Sequence, residues 1–473
     1  MIKMFICFKK DFSELDGILS PMYFAYKPKN TSKFIELERL AKVNPERKLS
    51  GINDDEEVPY VGLPETDDHE IKEVLLRPYK EVKGRKIIKK GDILFARIEP
   101  SIFNKKYIYV DDLGDFEYAL TSTEFYIVEP KDNIIAKFLF YMFFSEPVYF
   151  QVKGKTTGST GRRRLDKKVF ENLLIPNPSK ETQEKIVKLM EKAHKDKKHK
   201  MNESKSVLKS INKLLQQELE IKDDNIKENI TFPVFSKEIK DRIDPYYYNP
   251  KFSKILNLLA KKYPTVPLGK GKGKDKLADI FSGKTPAKKD YSTEGNLILK
   301  AANLKNNKID WKTKSFVDKD IKLKDTIKDN DILLLSSAHQ ADYLGKNPCI
   351  VNIPKELSNT KIYFVGELIA IRSKNINPYY LLGILKLEQY YLLLNREKRG
   401  QSSHLYPNDL KNIEIPIPPD ELQDKIADEI RLKMNEAEEL ELNSRILVKN
   451  AEKDVEKILL DYINKEEDNK WKL

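Results

Sequence analysis

Two long stretches of the chain are built from charged residues interrupted by a narrow apolar stripe, and neither contains proline or glycine. The first follows Ser179 and runs to about Ile221; the second begins near Pro419 and Asp420 and runs to about Ile463. In the second stretch Ile426, Ile430, Met434 and Ala437, and then Val448, Val455, Leu459 and Tyr462, recur at spacings of three, four and seven. Val207, Ile211, Leu214 and Leu215 do the same in the first, while 194–206 has little stripe. A narrow stripe on a charged helix predicts a coiled-coil seam. Ser179 is the expected N-cap of the first helix, with Glu181 and Glu184 in its first turn. At 1.5 Å per residue that helix would span about 60 Å.

Ahead of each helix the pattern shortens to strand-like runs. Residues 86–88 and 92–96 flank a Lys-Lys-Gly turn, and 123–128 forms a further run; 331–335 and 368–371 match them later. β-branched and aromatic residues bounded by Gly, Asn and Asp read as strands. Short helices are expected at about 134–144 and 378–391. Each is followed by a polar loop, a small helix and a strand ending in an "IP.P" pattern. Each series opens on an aromatic, proline-marked segment, ELDGILSPMYFAYKP (14–28) and DRIDPYYYNP (241–250).

The order of parts occurs twice because the chain is duplicated. LDKKVFENLLIPNPSKETQEKIVKLMEK (165–192) answers LYPNDLKNIEIPIPPDELQDKIADEIRLK (405–433). Pro176 and Pro416, Pro178 and Pro418, and Gln183 and Gln423 all keep one offset of 240. Upstream, with a slip of one residue, Asp92-Ile93-Leu94 answers Asp331-Ile332-Leu333. A repeat this long is a duplicated domain rather than a solenoid, whose units run about 20–50 residues. The expected fold is α/β (α+β): two similar globular domains, 1–178 and 223–417, with long helices at 179–222 and 418–473. Pairing the helices antiparallel is the cheapest way to bury both stripes. It would relate the globules by a pseudo-two-fold.

Composition adds a partner class. The 473 residues are 40% hydrophobic and 34% charged, and 86 Lys and Arg exceed 74 Asp and Glu for a net charge of +12. Such an excess favours a polyanion, most often nucleic acid; a uniformly Lys-rich proteome is the bland alternative. Two cysteines, Cys7 and Cys349, make no disulfide framework, which points to a reducing compartment. The start of the chain lacks a signal-peptide core, and no apolar run approaches the 18 or so residues of a membrane span. A cytoplasmic protein without a membrane partner is expected.

Candidate chemistry lies in the polar loops. In the first unit Lys153, Lys155, Thr157, Ser159, Arg162, Arg163 and Arg164 surround a Gly/Ser/Thr segment. Glycine allows close approach to a groove, hydroxyls bond phosphate, and arginine reads guanine or holds phosphate. The alternative is a solvated loop. Its counterpart holds Arg396, Arg399, Gln401, Ser402, Ser403 and His404, and glutamine can pair with adenine through two bonds. Lys284 and Lys288, in and after the turn Ser282-Gly283-Lys284-Thr285-Pro286, are weaker DNA-binding candidates. GKGKGKDK (269–276) is a cationic loop and not a phosphate loop, because GxxxxGK[ST] is absent. DPYYYNP (244–250) lacks the Pro-Pro of an adenine methyltransferase motif and reads as an aromatic packing segment. His194 and His199 lie five apart, off a common helical face, so no metal site is expected; no catalytic site is expected either, since the sequence carries no convincing nucleophile–His–acid set and no nuclease motif.

These residues resemble the specificity subunit of Type I restriction–modification systems. LADIFSGKTPAKKDY (277–291) is similar to the family's opening motif and NDILL (330–334) to its central strand. GQSSHLYPNDLKNIEIPIPPDELQDKIADEI (400–430) resembles its Gly/Ser loop, small helix, "IP.PP" and Gln-led helix. GSTGRRRLDKKVFENLLIPNPSKETQEKI (158–186) keeps the plan, whereas FIELERLAKVNPERK (34–48) lacks the Ser-Gly-x-Thr-Pro turn. The resemblance implies a non-catalytic subunit that binds double-stranded DNA, each target recognition domain reading half of a split, asymmetric site. It implies helices that set the spacer and dock two methyltransferase subunits, with motor–nuclease subunits joining for cleavage. S-adenosylmethionine, ATP and Mg²⁺ would belong to those partners, and this chain would hold no cofactor. The rivals are a coiled-coil scaffold with incidental charge and a self-contained methyltransferase or restriction enzyme; the latter should carry S-adenosylmethionine motifs that are absent from the sequence.

Overall fold

The computed structural model describes residues 31–464 apart from 154, 160–162, 222–230, 240–241, 306–307, 322, 324, 338–342 and 400–403. The chain divides into two compact units, Met1–His199 with Asn443–Leu473, and Lys200–Leu442. The two long helices, Lys180–Glu218 and Asp420–Asn464, each contribute one half to each unit.

In the first unit β1 (Ala41–Val43), β2 (Ile93–Ala96), β3 (Tyr107–Tyr109) and β4 (Phe125–Pro130) form an antiparallel sheet in the order β1-β4-β2-β3. The register sets Ile93 opposite Val128 and Ala96 opposite Phe125. Every residue of β2 is buried, because alternate side chains enter different cores. Ile93 and Phe95, with Tyr126 and Val128, face the helices. Leu94 and Ala96, with Phe125 and Ile127, face a second sheet. That sheet contains one parallel pair, Glu57–Val61 with Tyr118–Thr121.

α1 (Ala136–Met142) and α2 (Glu146–Val152) cover the helix-facing side, and between them Ser145 is extended. Ile186, Met190 and Ala193 of the first long helix and Ala451, Val455 and Leu459 of the second complete this core. The helices run antiparallel here: the Tyr462 hydroxyl, near the end of the second, donates to the Asn177 carbonyl, just before the first, at 2.9 Å.

The second unit repeats the plan. β5 (Ala278–Ser282), β6 (Ile332–Leu335), β7 (Cys349–Ile350) and β8 (Leu368–Ser373) pair in the order β5-β8-β6-β7. Ile332, Leu334, Ile369 and Ile371 face helices, while Leu333, Leu368 and Ala370 enter the other core. The apolar run expected as one helix at 378–391 is two, α3 (Pro378–Lys386) and α4 (Glu388–Arg396), broken at extended Leu387. The corner keeps Leu387, Tyr390, Leu393 and Leu394 buried in the same core as Tyr380 and Leu381, which one straight helix would carry away. α3 approaches the second long helix so closely that a Cβ on Gly383 would lie 2.5 Å from Ile430 Cδ1.

The repeated glutamine does the same work in both units. Gln183 donates to the Pro178 carbonyl at 3.0 Å and Gln423 to the Pro418 carbonyl at 3.0 Å, and both side chains are buried. Each fastens the start of a long helix to the proline-marked strand end before it.

The stretch that carries little stripe is held by other means. In the first unit, a hairpin formed by Thr66–Asp67 and Glu70–Ile71 reaches the helix. Its His69 ring packs on Phe144 at 4.6 Å and lies 6.4 Å from His194, while Lys198 pairs with Glu70 at 3.3 Å. In the second unit the Ser204 hydroxyl, on the first long helix, donates to the Ala437 carbonyl of the second at 3.0 Å, and both residues are buried. A small polar contact there replaces the apolar seam.

Candidate nucleic-acid interface

The two polar loops dock in the same way. In the first unit Leu165 N–H donates to the Arg97 carbonyl at 2.8 Å, and Ile98 bridges to Arg164. In the second, Leu405 N–H donates to the Ser336 carbonyl at 2.9 Å, and Ser337 bridges to His404. Arg97 and Ser336 directly follow β2 and β6, so each loop is pinned to the end of its central strand. The next strand is tied to the same place, since Arg97 N–H donates to Glu124 and Ser336 N–H to Glu367, both at 2.9 Å.

In the first loop Thr156–Thr157 pairs with Arg164–Leu165 as a two-stranded hairpin. Arg164 forks onto Glu124, Nε at 3.0 Å and Nη2 at 2.6 Å, and this bond holds the Glu124 carboxyl below the usual carboxylate range. Arg163 donates to the Thr156 carbonyl at 2.7 Å and lies 3.7 Å from Glu99. These two guanidiniums are oriented by their own unit. Lys153 rests against the Phe150 ring at 5.5 Å, and Lys155, Thr157 and Ser159 are exposed. Arg162 lies outside the described residues.

In the second loop Arg399 and His404 exchange backbone hydrogen bonds at 3.0 and 2.8 Å, and Arg399 Nη2 reaches Asp409 at 2.5 Å. Arg396 lies over Tyr247, 4.1 Å from the ring centroid. Gln401, Ser402 and Ser403 fall outside the described residues. Lys284 and Lys288 are exposed. The Ser-Gly-Lys-Thr-Pro turn is structural in its own right. The Thr285 hydroxyl donates to Glu367 at 3.2 Å and accepts from Gly366 N–H at 3.0 Å. Through Glu367 and Ser336 the turn adjoins the loop, so these candidates form one region of the unit. The segment GKGKGKDK is tied down in part, with Gly269 N–H on the Lys411 carbonyl at 3.1 Å.

Further cations stand beside the first loop that no sequence motif marks. Arg97 and Lys86 lie 5.0 and 5.7 Å from the Tyr126 ring, and Arg85 reaches the Thr123 hydroxyl at 3.3 Å. Burial, with repulsion from Arg97 and Lys167, pushes the Lys86 ammonium down to about 8. Each of these residues looks in sequence like an ordinary strand-end or surface cation. The packing of two sheets, one carrying Lys86 and the other Tyr126 and the strand before Arg97, brings them together. Arg242, beside the second loop, is hidden in the sequence because the Lys398 carbonyl it donates to lies 156 residues further on.

Residues 29–210 and 272–448 match the Type I restriction modification DNA specificity domain, once in each half. The chain belongs to the specificity-subunit family of Type I restriction–modification systems. It is 29% identical over 155 residues to the EcoAI specificity subunit of Escherichia coli, covering 32% of this chain and 26% of that one. It is 34% identical over 111 residues to the HindI specificity subunit of Haemophilus influenzae, 23% of each chain. The match thus spans about a quarter of those two relatives. It is 24% identical over 326 residues to the MjaVIII specificity subunit of Methanocaldococcus jannaschii, covering 68% of this chain and 69% of that one.

Among solved structures, the HsdS subunit from Thermoanaerobacter tengcongensis aligns at 19% identity and a TM-score of 0.34, covering 91% of this chain and 96% of that one. The M. genitalium S subunit aligns at 14% and 0.37, covering 90% and 95%. For this specificity-subunit family member, among the described residues, no group of three or more His, Cys, Asp or Glu is placed to hold a metal ion. Nor is any described helix long and apolar enough to cross a membrane.

Proposed function

We propose that this chain reads a bipartite, asymmetric DNA site, the first recognition domain (1–178) taking one half and the second (223–417) the other. The observation that carries this reading is the pair of cationic loops, each fastened by the same backbone bond to the end of an equivalent strand. Two equivalent placements with different side chains suit two half-sites of different sequence. Lysines and arginines around the loops supply salt-dependent attraction to phosphate, and base-edge contacts supply the choice of sequence. The long helices set the spacer and dock two methyltransferase subunits, and motor–nuclease subunits join the assembly. S-adenosylmethionine, ATP and Mg²⁺ act in those partners, where a target base must leave the stack to be modified.

The test is to co-express the chain with its methyltransferase partner and map modified bases across a genome. A split motif that appears only with this chain, and of which one half changes when one domain is exchanged, is the expected result. Methylation independent of the chain, although the partner binds it, would refute the reading.

A further inference from the structure

The first unit carries a cationic site that its duplicate lacks. Arg97 follows β2, and its main chain is locked on both sides, N–H to the Glu124 carbonyl at 2.9 Å and carbonyl to Leu165 N–H at 2.8 Å. Its guanidinium lies 5.0 Å from the Tyr126 ring of β4, and the Lys86 ammonium lies 5.7 Å from the same ring. The segments 86–97 and 325–336 are equivalent, because Asp92 and Asp331 each close the turn before the central strand on the N–H three residues earlier. On that register Asp325 stands where Lys86 does, and Ser336 where Arg97 does. The strand pairings put Ile369 in the place of Tyr126. The ring and both cations are therefore features of one recognition domain.

The Arg97 guanidinium is held but not matched. Its Nε is buried with no hydrogen-bond partner among the described residues. The two terminal nitrogens also make no hydrogen bond among them but, unlike Nε, are not buried, so an incoming group can reach them. The carboxylates nearby are engaged. Glu124, which Arg97 attracts at longer range, takes the two-bond fork of Arg164. Glu99 accepts from the Thr156 hydroxyl and faces Arg163 at 3.7 Å. Asp166 caps Lys168 N–H at 2.8 Å, and Glu171 pairs with Lys167 at 3.2 Å. Neither Arg97 nor Lys86 forms an ion pair among the described residues, and Lys86 Nζ has one long bond, to the Phe125 carbonyl at 3.4 Å. Burial, with repulsion from Arg97 and Lys167, pushes the Lys86 ammonium down to about 8. A buried donor without a partner keeps the full penalty of its desolvation. Two cations on one ring, neither with a carboxylate of its own, repel each other, and an oxyanion beside them would relieve that repulsion.

We propose that Arg97 holds one backbone phosphate of the DNA beside the first half-site through its terminal nitrogens, with Lys86 adding charge from beside the same ring. The proposal rests on the reading of the first unit as a DNA-recognition domain and adds a contact beyond the Gly/Ser/Thr loop. The two terminal nitrogens of a guanidinium present donors in a fixed plane that fits phosphate oxygens. A side chain pinned at a strand end, with its Nε buried, cannot extend into a groove, so the contact positions the duplex and does not choose a base. The second half-site has no equivalent contact from this position, because Ser336 is short and 4% exposed.

The experiment measures binding of the assembled methyltransferase complex to duplexes in which single phosphates around the first half-site are replaced by neutral methylphosphonates. For the wild-type chain, one linkage should weaken binding by about tenfold when neutralised, the size expected for a charge-assisted hydrogen bond. For Arg97→Met the same neutralisation should cost less than about twofold, with the same sequence still preferred. Lys86→Gln should lose part of that sensitivity, and it decides the matter if Arg97→Met fails to assemble. Arg97 has no side-chain hydrogen bond to lose, so Arg97→Met should resist urea at least as well as the wild type. A less stable variant that keeps the linkage effect would mark Arg97 as structural and overturn the site. A relaxed base preference in Arg97→Met would replace the phosphate by a base and overturn it too. Additive losses in the variants at every linkage, with sequence preference retained, would overturn the phosphate site alone. No preference for any first half-site in the wild type would overturn the underlying domain reading and the site with it.

Discussion

Arg372 grips Asp331 with two parallel bonds, Nε to Oδ1 at 2.8 Å and Nη2 to Oδ2 at 2.7 Å. Asp331 is 1% exposed and also accepts Lys328 N–H at 2.8 Å, closing the turn before β6. In the first unit Asp92 accepts Lys89 N–H at 2.8 Å in the same place before β2, but its arginine comes from elsewhere. The strand registers align Arg372 with Glu129, and Arg47 bridges both Asp92, at 2.9 Å, and Glu129, at 2.6 Å. The buried charge is neutralised in both copies, although the residue that neutralises it has moved along the chain.

Removing one partner of such a pair strands a buried charge. Arg372→Leu should destabilise the second unit by about 3 kcal/mol, measured by urea unfolding. The double variant with Asp331→Leu should recover much of that loss. Equal, additive losses would show that the two residues act independently.

The Ser-Gly-Lys-Thr-Pro turn leaves no room for a side chain. A Cβ on Gly283 would sit 2.2 Å from the Phe364 carbonyl oxygen and 2.5 Å from that of Val365, both backbone atoms. Gly283→Ala should therefore cost about 2 kcal/mol or more, while Gly273→Ala, with open space around its Cβ position, tests positive-φ strain alone. Thermal melts of the two variants provide the comparison.

His194 makes the first unit sensitive to acid. Burial against Tyr141 and His69, with Lys197 and the His69 charge adding repulsion, pulls its imidazole down to about 4 from 6.5, and Asp68 and Glu70 offset this only in part. A depressed folded value means that the unfolded chain binds the proton first as pH falls. The stability is complete above pH 6.5 and is lost as pH drops toward 4, by about 3 kcal/mol. Unfolding at pH 7 and pH 5 should show a smaller difference for His194→Gln than for the wild type.

Replacing Arg162, Arg163 and Arg164 together by alanine should weaken DNA binding by the assembled complex and flatten its salt dependence. Glu124→Gln, which releases Arg164 from its fork, should strengthen binding to unrelated sequences instead. Salt-titrated affinities unchanged in both variants would exclude this loop from the interface.

The sequence by itself determined what is local or repeated. The two long helices, the strands around Asp92 and Asp331, and the Pro-and-Gln marks of the duplication were legible, because stripe, alternation and offset are properties of neighbouring or equivalent positions. The two loops were legible for the same reason, as clusters along the chain. Only the tertiary structure decided which arginine meets Asp92 and that Ser204 replaces the seam. It alone set the break at Leu387, which an all-round apolar run hides. It also made Arg242, Tyr247 and Arg396 neighbours across about 150 residues of chain. Such contacts depend on register and burial between distant segments, and a single sequence carries no periodic signal for them.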